Sequence, residues 1–408
     1  MQRKIYKKDE HRLENAQIDT EALYVLEKLT AAGHTAYLVG GGVRDLLLKQ
    51  KPKDYDISTS AKPEEIRKLF RNCFLIGKRF RLAHIRFGNK IIEVATFRSG
   101  DNEADTLIIR DNEWGTEEED VLRRDFTING LFYDACHETI IDYVGGFQDL
   151  RDGYLRTIGQ SFLRFKQDPV RMLRLLKFKA RFDFTVDAQA ETALVECRHE
   201  ILKSSKARVL EELLRMLESG HAASFVRQLT SYGFLQLILP SIATLLSTDE
   251  GEEVYALLEA LDAHEAPLDR AISLACLLFP SFSTRLHMLF QEDAPPHFAQ
   301  IQNEAFSLFH ELMDSFLQIP KRLKLATVFV LATQYRLVPL YSKKNKPFRV
   351  PNDPWTPLAA SFLALRATLH PSLESMSNEW QACLIKHPLT QETAPKKPRR
   401  RKKRSPPA

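Results

Sequence analysis

Three consecutive glycines, Gly40–Gly42, lie between a short apolar segment and a short helical one, and Asp54 and Asp56 follow them. Glycines at such a turn let backbone N–H groups approach a phosphate closely, and Arg44 adds a charged fork. In an extended strand both aspartates leave the same face, where they repel each other unless a cation lies between them. Oxygen ligands beside a phosphate cradle suit Mg²⁺, so the sequence predicts a magnesium and nucleotide site.

The glycine turn and the aspartate pair are each common in proteins. A run of glycines is usually only a turn, and an Asp-x-Asp pair is usually solvated surface. Their combination, a glycine turn followed by an acidic strand, favours a single functional site. The reaction that suits such a site is in-line attack of a hydroxyl on a nucleoside triphosphate, with metal ions holding the attacking and leaving oxygens.

The predicted elements change from mixed to helical near residue 157. Before it, helices and short strands alternate, and Gly88 and Gly145 mark two hairpins. The acidic residues 99–120 are predicted to form an exposed mobile loop. Further on, Asp168 is predicted to be an N-cap followed by a first-turn proline, and the chain is expected to be helix and turn thereafter. The predicted fold class is therefore α+β, with a mixed-sheet head followed by all-helical domains.

The 408 residues are 44% apolar and 27% charged, close to the averages of soluble chains. This composition excludes a mostly disordered, collagenous or disulfide-scaffold protein. We find no apolar run approaching the ~18 residues of a membrane span, and the basic start leads into no apolar signal core, so we expect a cytoplasmic protein. The five cysteines are scattered singly and are expected to be buried thiols in a reducing compartment.

The net charge of +5 is unevenly distributed. Residues 391–408 hold eight Lys or Arg and one Glu, a net charge of +7, which leaves −2 for the rest of the chain. A nearly neutral body with a cationic, proline-rich end suggests a folded enzyme with a tethered segment that binds polyanions. A purely solubilising or addressing role for this tail remains open. Its cationic residues, all candidates for RNA binding, are Lys396, Lys397, Arg399, Arg400, Arg401, Lys402, Lys403 and Arg404.

Five ordered motifs over about 180 residues resemble a known family. The segment from Leu38 to Leu48, with residues 53–57, resembles motif A of the class II nucleotidyltransferases, the group that contains bacterial poly(A) polymerases and CCA-adding enzymes. The other four resemble the family's RRDFTIN segment, its hinge-like segment, its EDxxR nucleotide-selecting motif and the helical motif that closes its neck; they are residues 123–129, 142–156, 167–174 and 207–213.

This resemblance implies a polymerase-β-like head followed by a helical neck, body and C-terminal domain. It implies that Asp125 accepts a hydrogen bond from the ribose and that Asp168 and Arg171, at i and i+3, read the base edge. The residues it implies for ATP binding are Gly40, Gly41, Arg44, Arg123, Arg124, Asp125, Asn129, Asp168, Arg171 and Arg174. The predicted domains are an N-terminal extension (1–18), the catalytic head (19–157), the neck (158–240), the body and C-terminal domain (241–390) and a disordered basic tail (391–408).

Structural roles remain open for several of these residues. Residues 123–125 could form only a helix-end salt bridge. Asp168 and Arg171 could be a plain N-cap with an intrahelical ion pair. Gln167 stands where the family usually has Glu, which affects only a supporting contact.

Glu93 is the candidate for a third catalytic carboxylate beside Asp54 and Asp56. As a strand residue it could equally be an outward-facing partner of Lys90 or Arg98. His84 could be a general base, but a half-buried strand histidine is the favoured interpretation.

The segment from Leu75 to Ile85 resembles a signature of bacterial poly(A) polymerases, at a place where CCA-adding enzymes usually differ. Its cations Lys78, Arg79 and Arg81 form a basic strip that suits RNA phosphates. Residues 319–323 and 355–367 resemble the C-terminal domain of the longer, proteobacterial type of poly(A) polymerase.

The leading hypothesis is therefore template-independent addition of AMP from ATP to RNA 3′ ends, with Mg²⁺ as cofactor, by a monomer that acts in RNA processing and decay. CCA addition to tRNA is the alternative within the same enzyme class. A catalytically inactive RNA-binding adaptor is the alternative from another class, and the intact aspartate pair disfavours it. The sequence does not identify a protein partner.

Overall fold

The computed structural model describes residues 3–77, 82–99, 113–289, 296–338 and 352–386. The chain divides into two compact units. The first comprises Met1–Met216 and Ser224–Ile238, and the second comprises Leu217–Ala223 and Leu239–Ala408.

Twelve strands are found in the described part of the chain, and all of them lie in the first unit. They are β1 (Lys4–Tyr6), β2 (Ala36–Val39), β3 (Asp56–Thr59), β4 (Cys73–Ile76), β5 (Leu82–Phe87), β6 (Lys90–Thr96), β7 (Arg98–Ser99), β8 (Glu113–Trp114), β9 (Leu131–Asp134), β10 (Thr139–Asp142), β11 (Tyr154–Leu155) and β12 (Thr185–Val186). Eight of them form one mixed sheet in the order β1-β10-β9-β2-β3-β6-β5-β4. β3 and β6 pair in parallel, and the other neighbours in this sheet are antiparallel.

Short helices accompany this sheet and continue beyond it. The α-helices up to residue 238 are α1 (Lys8–His11), α2 (Thr20–Ala31), α3 (Gly41–Leu47), α4 (Pro63–Leu69), α5 (Glu117–Leu122), α6 (Gly146–Asp152), α7 (Ser161–Gln167), α8 (Val170–Phe182), α9 (Ala188–Cys197), α10 (Lys206–Leu217), α11 (Ala222–Ser231) and α12 (Phe234–Ile238). The 3₁₀ turns of the described residues are Asn15–Gln17, Thr127–Asn129, Arg198–Lys203 and Pro371–Leu373.

Helix α2 shows how the sequence determines these elements. Asp19 caps it by accepting hydrogen bonds from the backbone N–H groups of Glu21 and Ala22, at 3.1 and 3.3 Å. Leu26 and Leu29, which lie three residues apart on one helical face, are buried. The helix predicted to begin after Asp19 is therefore confirmed.

An aromatic cluster fills the centre of the first unit beneath β2 and β9. Tyr37 and Phe132 stack with ring centroids 5.4 Å apart, and Phe97 packs against both. Val39 and Val121 belong to the same buried cluster. Burial of these apolar side chains stabilises β2, the strand that leads into the glycine turn.

The second unit is helical throughout its described residues. Its helices from residue 240 onward are α13 (Pro240–Leu245), α14 (Asp249–Asp262), α15 (Arg270–Leu289), α16 (Phe298–Met313), α17 (Lys321–Leu337), α18 (Thr356–Leu369) and α19 (Glu374–Lys386). One of its cores contains Phe329, Leu363 and Trp380. The indole N–H of Trp380 donates to the backbone oxygen of Leu337 at 3.0 Å, which ties α19 to the end of α17.

Helix α15 meets the length and composition of a membrane span, which the sequence pattern did not predict. Of the 18-residue apolar stretch of α15 that could span a membrane, 61% is buried inside the structure. Pro280 lies inside it, and its buried residues include Cys276 and Phe282. These features are those of a core helix of the second unit.

The predicted α+β class is confirmed, and three local predictions are corrected. Residues 99–120 are not one loop, because β7 and β8 pair Arg98 with Trp114 and α5 begins at Glu117; residues 100–112 lie outside the described residues. Asp168 is the C-cap of α7, and Pro169 is the N-cap of α8. The helical region after residue 157 also contains β12, which pairs in parallel with β11.

Candidate active site

The glycine turn connects the end of β2 to the start of α3. Gly40 has φ = +65°, a backbone conformation that side chains with a Cβ rarely adopt. A Cβ at this position would lie 3.2 Å from Nη1 of Arg124. The turn therefore needs glycine for two reasons, and the absence of a side chain leaves Arg124 beside the backbone of the turn.

Two carboxylates face each other across the parallel pair β3–β6. Asp56 is the first residue of β3 and lies opposite Glu93 of β6, while Asp54 precedes it in an exposed position. Burial, together with the charges of Glu93 and Asp54, raises the pKa of Asp56 to about 6, although Arg124 acts in the opposite direction. The excess of negative charge here is what a divalent cation would neutralise.

The donor set at Asp54 and Asp56 fits Mg²⁺ better than a metal held only by protein. Among the described residues, no three His, Cys, Asp or Glu side chains form a ready-made metal cage. Mg²⁺ commonly keeps several waters and uses one or two carboxylates together with substrate phosphates. Two carboxylates, one of them with a raised pKa, match that mode of binding.

Glu93 has a second neighbour in the adjacent strand. Its Oε1 lies 3.0 Å from Nε2 of His84, which is opposite it on β5. The structure thus places Glu93 between Asp56 and His84. Lys90 pairs with Asp19 and Glu21.

Arg124 lies at the boundary between the glycine turn and the sheet. It donates to Asp120 at 3.0 Å and to Oγ of Ser58 at 3.2 Å, and its guanidinium lies over the ring of Phe132. Arg123, the preceding residue, contributes its backbone oxygen, which accepts a hydrogen bond from Arg171 at 2.8 Å. Arg123 therefore connects the head to the first turn of α8, and Arg124 is held within the head.

Arg44, which is predicted to bind ATP, is buried in the structure. Its exposed fraction is 5%, and it donates to Asp45 and to Oδ1 of Asn129. The guanidinium also lies 4.9 Å and 5.1 Å from the ring centroids of Phe178 and Phe182 in α8. These contacts connect α3 to Asn129 and α8, and the role of Arg44 in ATP binding stays a prediction.

Asp125 is held ionised by a set of donors around it. Burial disfavours its charged form, but Arg174, Asn129 and Arg171 outweigh burial, and the pKa of Asp125 lies below its ordinary value. Asn129 donates to its Oδ1 at 2.9 Å, and Nη1 of Arg174 lies 3.6 Å from its Oδ2. Asp125 is thus a fixed acceptor.

Asp168 and Arg171 meet where α7 gives way to α8. Nε of Arg171 lies 4.0 Å from Oδ2 of Asp168. Within the described part of the chain, Oδ1 of Asp168 and Nη1 of Arg171 are buried and have no hydrogen-bond partner. Burial lowers the pKa of Arg171 to about 10, so it remains charged at neutral pH. A buried acceptor and a buried donor that lack partners are costly unless a ligand completes them.

Three residues in this region were not predicted as site residues. Arg208 of α10 donates to Asp168 at 2.8 Å, and Glu212, one turn later, accepts from Nε of Arg174 at 2.7 Å. Their i, i+4 spacing on one helix face was the available signal. Arg164 donates to the backbone oxygens of Leu122 and Arg124, and no local pattern marks it.

The predicted RNA-binding cations lie outside the described residues. These are Lys78, Arg79 and Arg81 before β5 and, in the tail, Lys396, Lys397, Arg399, Arg400, Arg401, Lys402, Lys403 and Arg404. Their roles stay predictions.

Two family models match the chain. Residues 36–156 match the poly A polymerase head domain, which includes the glycine turn and the carboxylates. Residues 183–264 match a model described as the probable RNA and SrmB-binding site of polymerase A.

Solved structures share the fold. A CCA-adding enzyme of Bacillus stearothermophilus in complex with CTP superposes with a TM-score of 0.61 at 24% identity, covering 90% of this chain and 82% of that one. A tRNA nucleotidyltransferase complexed with a primer tRNA and an incoming ATP analogue gives a TM-score of 0.57 at 25% identity, covering 89% of this chain and 98% of that one. The fold and the carboxylate site together define a nucleotidyltransferase of the poly(A) polymerase and CCA-adding class.

Curated relatives identify the branch of that class. Poly(A) polymerase I of Salmonella typhi is 36% identical over 91% of this chain and 83% of its own length. Poly(A) polymerase I of Escherichia coli O157:H7 is 35% identical over 90% and 82%. A CCA-adding enzyme of Lactobacillus helveticus is 38% identical, but over 50% of this chain and 51% of its own. The chain belongs to the poly(A) polymerase family, as the motifs predicted.

Proposed function

We propose that this protein is a polynucleotide adenylyltransferase that adds AMP from ATP to RNA 3′ ends without a template. The observation that carries the proposal is the similarity to relatives named poly(A) polymerase I over about nine tenths of this chain. The pair of unsatisfied atoms on Asp168 and Arg171 supports it. Adenine presents an N6 amine donor beside the N1 acceptor, which complements a carboxylate acceptor beside a guanidinium donor. Uracil and guanine present the reverse order of donor and acceptor at the corresponding edge.

Cytosine shares the donor and acceptor order of adenine, so the Asp168–Arg171 pair alone does not separate ATP from CTP. The relatives supply the distinction. Those named poly(A) polymerase I are similar over about nine tenths of this chain, whereas the CCA-adding relative is similar over half of it. This difference in coverage favours adenylation, and CCA addition remains the second candidate.

The carboxylates and Arg124 have different roles at the reacting atoms, namely metal binding and triphosphate binding. Asp54 and Asp56 would hold Mg²⁺, which polarises the attacking 3′-hydroxyl and the triphosphate when bound. Glu93 adds negative charge opposite Asp56 and so strengthens the preference of the site for a cation. Arg124, which lies beside the glycine turn, and the backbone N–H groups of Gly40 and Gly41 would bind the triphosphate. Attack forms the new phosphodiester at the α-phosphorus, and pyrophosphate leaves.

The neck completes the nucleotide site. Asp125, fixed by Asn129 and Arg174, is the acceptor we assign to the ribose hydroxyl. Arg174 braces the base-reading pair through Asp125 and Glu212. The backbone oxygen of Arg123 accepts a hydrogen bond from Arg171 and so helps to fix the position of that side chain.

We further propose that the protein acts on RNA as a cytoplasmic monomer in RNA processing and decay. In this view residues 19–157 are the catalytic head, 158–240 the neck and 241–390 the body and C-terminal domain. The tail, residues 391–408, and the strip at Lys78, Arg79 and Arg81 bind RNA through phosphate contacts. The charge of the tail supports this assignment.

The test is to offer the purified protein a short unstructured RNA with Mg²⁺ and each nucleoside triphosphate separately. We expect a long ladder of products with ATP and little extension with CTP, GTP or UTP. Asp54→Asn, prepared identically, controls for a contaminating polymerase. Extension limited to a few nucleotides with CTP and ATP would favour the CCA-adding alternative, and no extension at all would favour an adaptor.

A further inference from the structure

The face of the sheet that carries Asp56 continues as a single row across three more strands. Asp56 of β3 lies opposite Glu93 of β6, Glu93 lies opposite His84 of β5, and His84 lies opposite Phe74 of β4. Because side chains on one row of a sheet point to the same face, these four residues project together. Asp56 and Glu93 therefore share one row of side chains with His84 and Phe74.

His84 and Glu93 form a direct contact in this row. Nε2 of His84 lies 3.0 Å from Oε1 of Glu93, a distance at which the imidazole N–H donates to the carboxylate. The side chain of His84 is 19% exposed and that of Glu93 is 46% exposed. The histidine is thus the better-packed partner, and the glutamate is the one that could otherwise move.

A glutamate at this position needs a restraint. Its side chain has three rotatable bonds and is nearly half exposed, so by itself it would sample several directions. Asp56 and Glu93 lie directly opposite each other in the parallel pair β3–β6, and two carboxylates placed in this way repel each other in the absence of a cation. Repulsion would turn Glu93 away from the site, and a donor on its far side opposes that movement.

We propose that His84 is a positioning residue that holds the Glu93 carboxylate toward Asp56. The inference rests on the proposed function, in which Glu93 is the third carboxylate at the reacting atoms. His84 then acts through Glu93 and does not touch the substrate. An ordinary cross-strand pair would instead affect folding and leave the rate of the folded enzyme unchanged.

A double-mutant cycle on the full chain tests this proposal. His84→Leu removes the donor, and His84→Gln keeps an N–H at about the reach of Nε2; each is made with Glu93 intact and with Glu93→Gln. The measurements are kcat and KM for ATP at saturating RNA and Mg²⁺, together with the thermal midpoint. Arg86→Gln, on the same face of β5, is the matched control and should leave kcat unchanged.

With Glu93 intact, we expect His84→Leu to lower kcat by about 10- to 100-fold, the usual effect of losing an outer partner of a site carboxylate. KM for ATP should change by less than about twofold, and His84→Gln should restore most of the rate. With Glu93→Gln, the same His84→Leu change should cost less than about threefold, because its partner is already gone. If His84→Leu lowers the thermal midpoint, His84→Asn, too short to reach Glu93, replaces it in the cycle.

Three outcomes would overturn the proposal, and they are distinguishable. An unchanged kcat in His84→Leu with Glu93 intact would show that the contact is an ordinary cross-strand pair. An equal loss of kcat in both backgrounds would show that His84 acts without Glu93, while leaving the proposed function intact. Full activity in Glu93→Gln would remove Glu93 from the proposed mechanism, and the role of His84 with it.

Discussion

At the scale of single residues, Asp56 shows a conflict between stability and chemistry. Its pKa is raised from 3.8 to about 6, mainly by burial and then by Glu93 and Asp54. The fold is therefore stabilised by protonated Asp56 below about pH 4, and this contribution is lost as the pH rises through about 6. At neutral pH the ionised carboxylate costs up to about 3 kcal/mol in the metal-free protein.

Asp56→Asn should consequently raise the thermal midpoint of the metal-free protein at pH 8 by a few degrees and leave it unchanged near pH 4. Turnover should fall by roughly 10³-fold or more, because a metal ligand is lost. Asp54→Asn is the comparison: it should lose turnover without the gain in stability, since Asp54 is exposed. Calorimetry at the two pH values, with and without Mg²⁺, checks this. A turnover near that of the wild type in either variant would remove the metal-site assignment.

Arg171→Ala tests base reading. The change leaves Asp168 as an acceptor but removes the donor that complements adenine N1, so selectivity for ATP over UTP and GTP should drop by about 10- to 100-fold. Triphosphate affinity should change less, because Arg124 and the glycine turn are unaltered. Competition between ATP and each other nucleotide on one RNA gives the ratio directly. Unchanged ratios would make Arg171 a structural residue of α8.

At this scale the sequence predicted the types of residue but not all of their partners. Spacing along the chain is enough to place Asp54 and Asp56 near each other. It does not reveal that Arg44 faces Phe178, more than 130 residues away. The partners of that guanidinium depend on a tertiary contact between α3 and α8, which local sequence does not show.

At the scale of elements, the packing of α10 on α8 supports the nucleotide site. Glu212→Ala would leave Arg174 without its 2.7 Å partner, and we expect a loss of about 2 kcal/mol in the free energy of unfolding and a higher KM for ATP. Glu211→Ala is the control, since its side chain is 42% exposed and pairs with Arg215 on the same helix; about 0.5 kcal/mol or less is expected there. Denaturant unfolding of both variants measures the difference, and equal effects would contradict the assigned role of Glu212.

Element boundaries were predictable where a local signal was strong, as at the Asp19 cap of α2. They were not where pairing is non-local. β7 and β8 pair Arg98 with Trp114, and the acidic sequence between them contains no local signal that predicts this pairing. Asp168 looked like an N-cap because Pro169 follows it, but α7 ends there, and so the residue closes one helix instead of opening the next.

At the scale of the whole molecule, the tail should affect RNA binding and spare the chemistry. Deleting residues 395–408 removes eight cations, so RNA affinity should fall at low salt and its salt dependence should flatten, by a slope of roughly 0.7 per phosphate no longer neutralised. Single-nucleotide addition at saturating RNA should be unchanged, and processivity should decrease. Affinity at several salt concentrations for both lengths of chain tests this. If plots of log affinity against log salt concentration are parallel for the two lengths of chain, the tail has a solubilising or addressing role.

The most direct test of adenylation against CCA addition is a competition between substrates. An unstructured RNA and a tRNA that lacks its 3′ CCA are offered together with ATP and CTP, and the 3′ ends of the products are sequenced. The proposed function predicts runs of adenosine on the unstructured RNA and on any tRNA that is extended, with cytidine rare. Products that end in CCA on the tRNA, with the unstructured RNA left unextended, would contradict it.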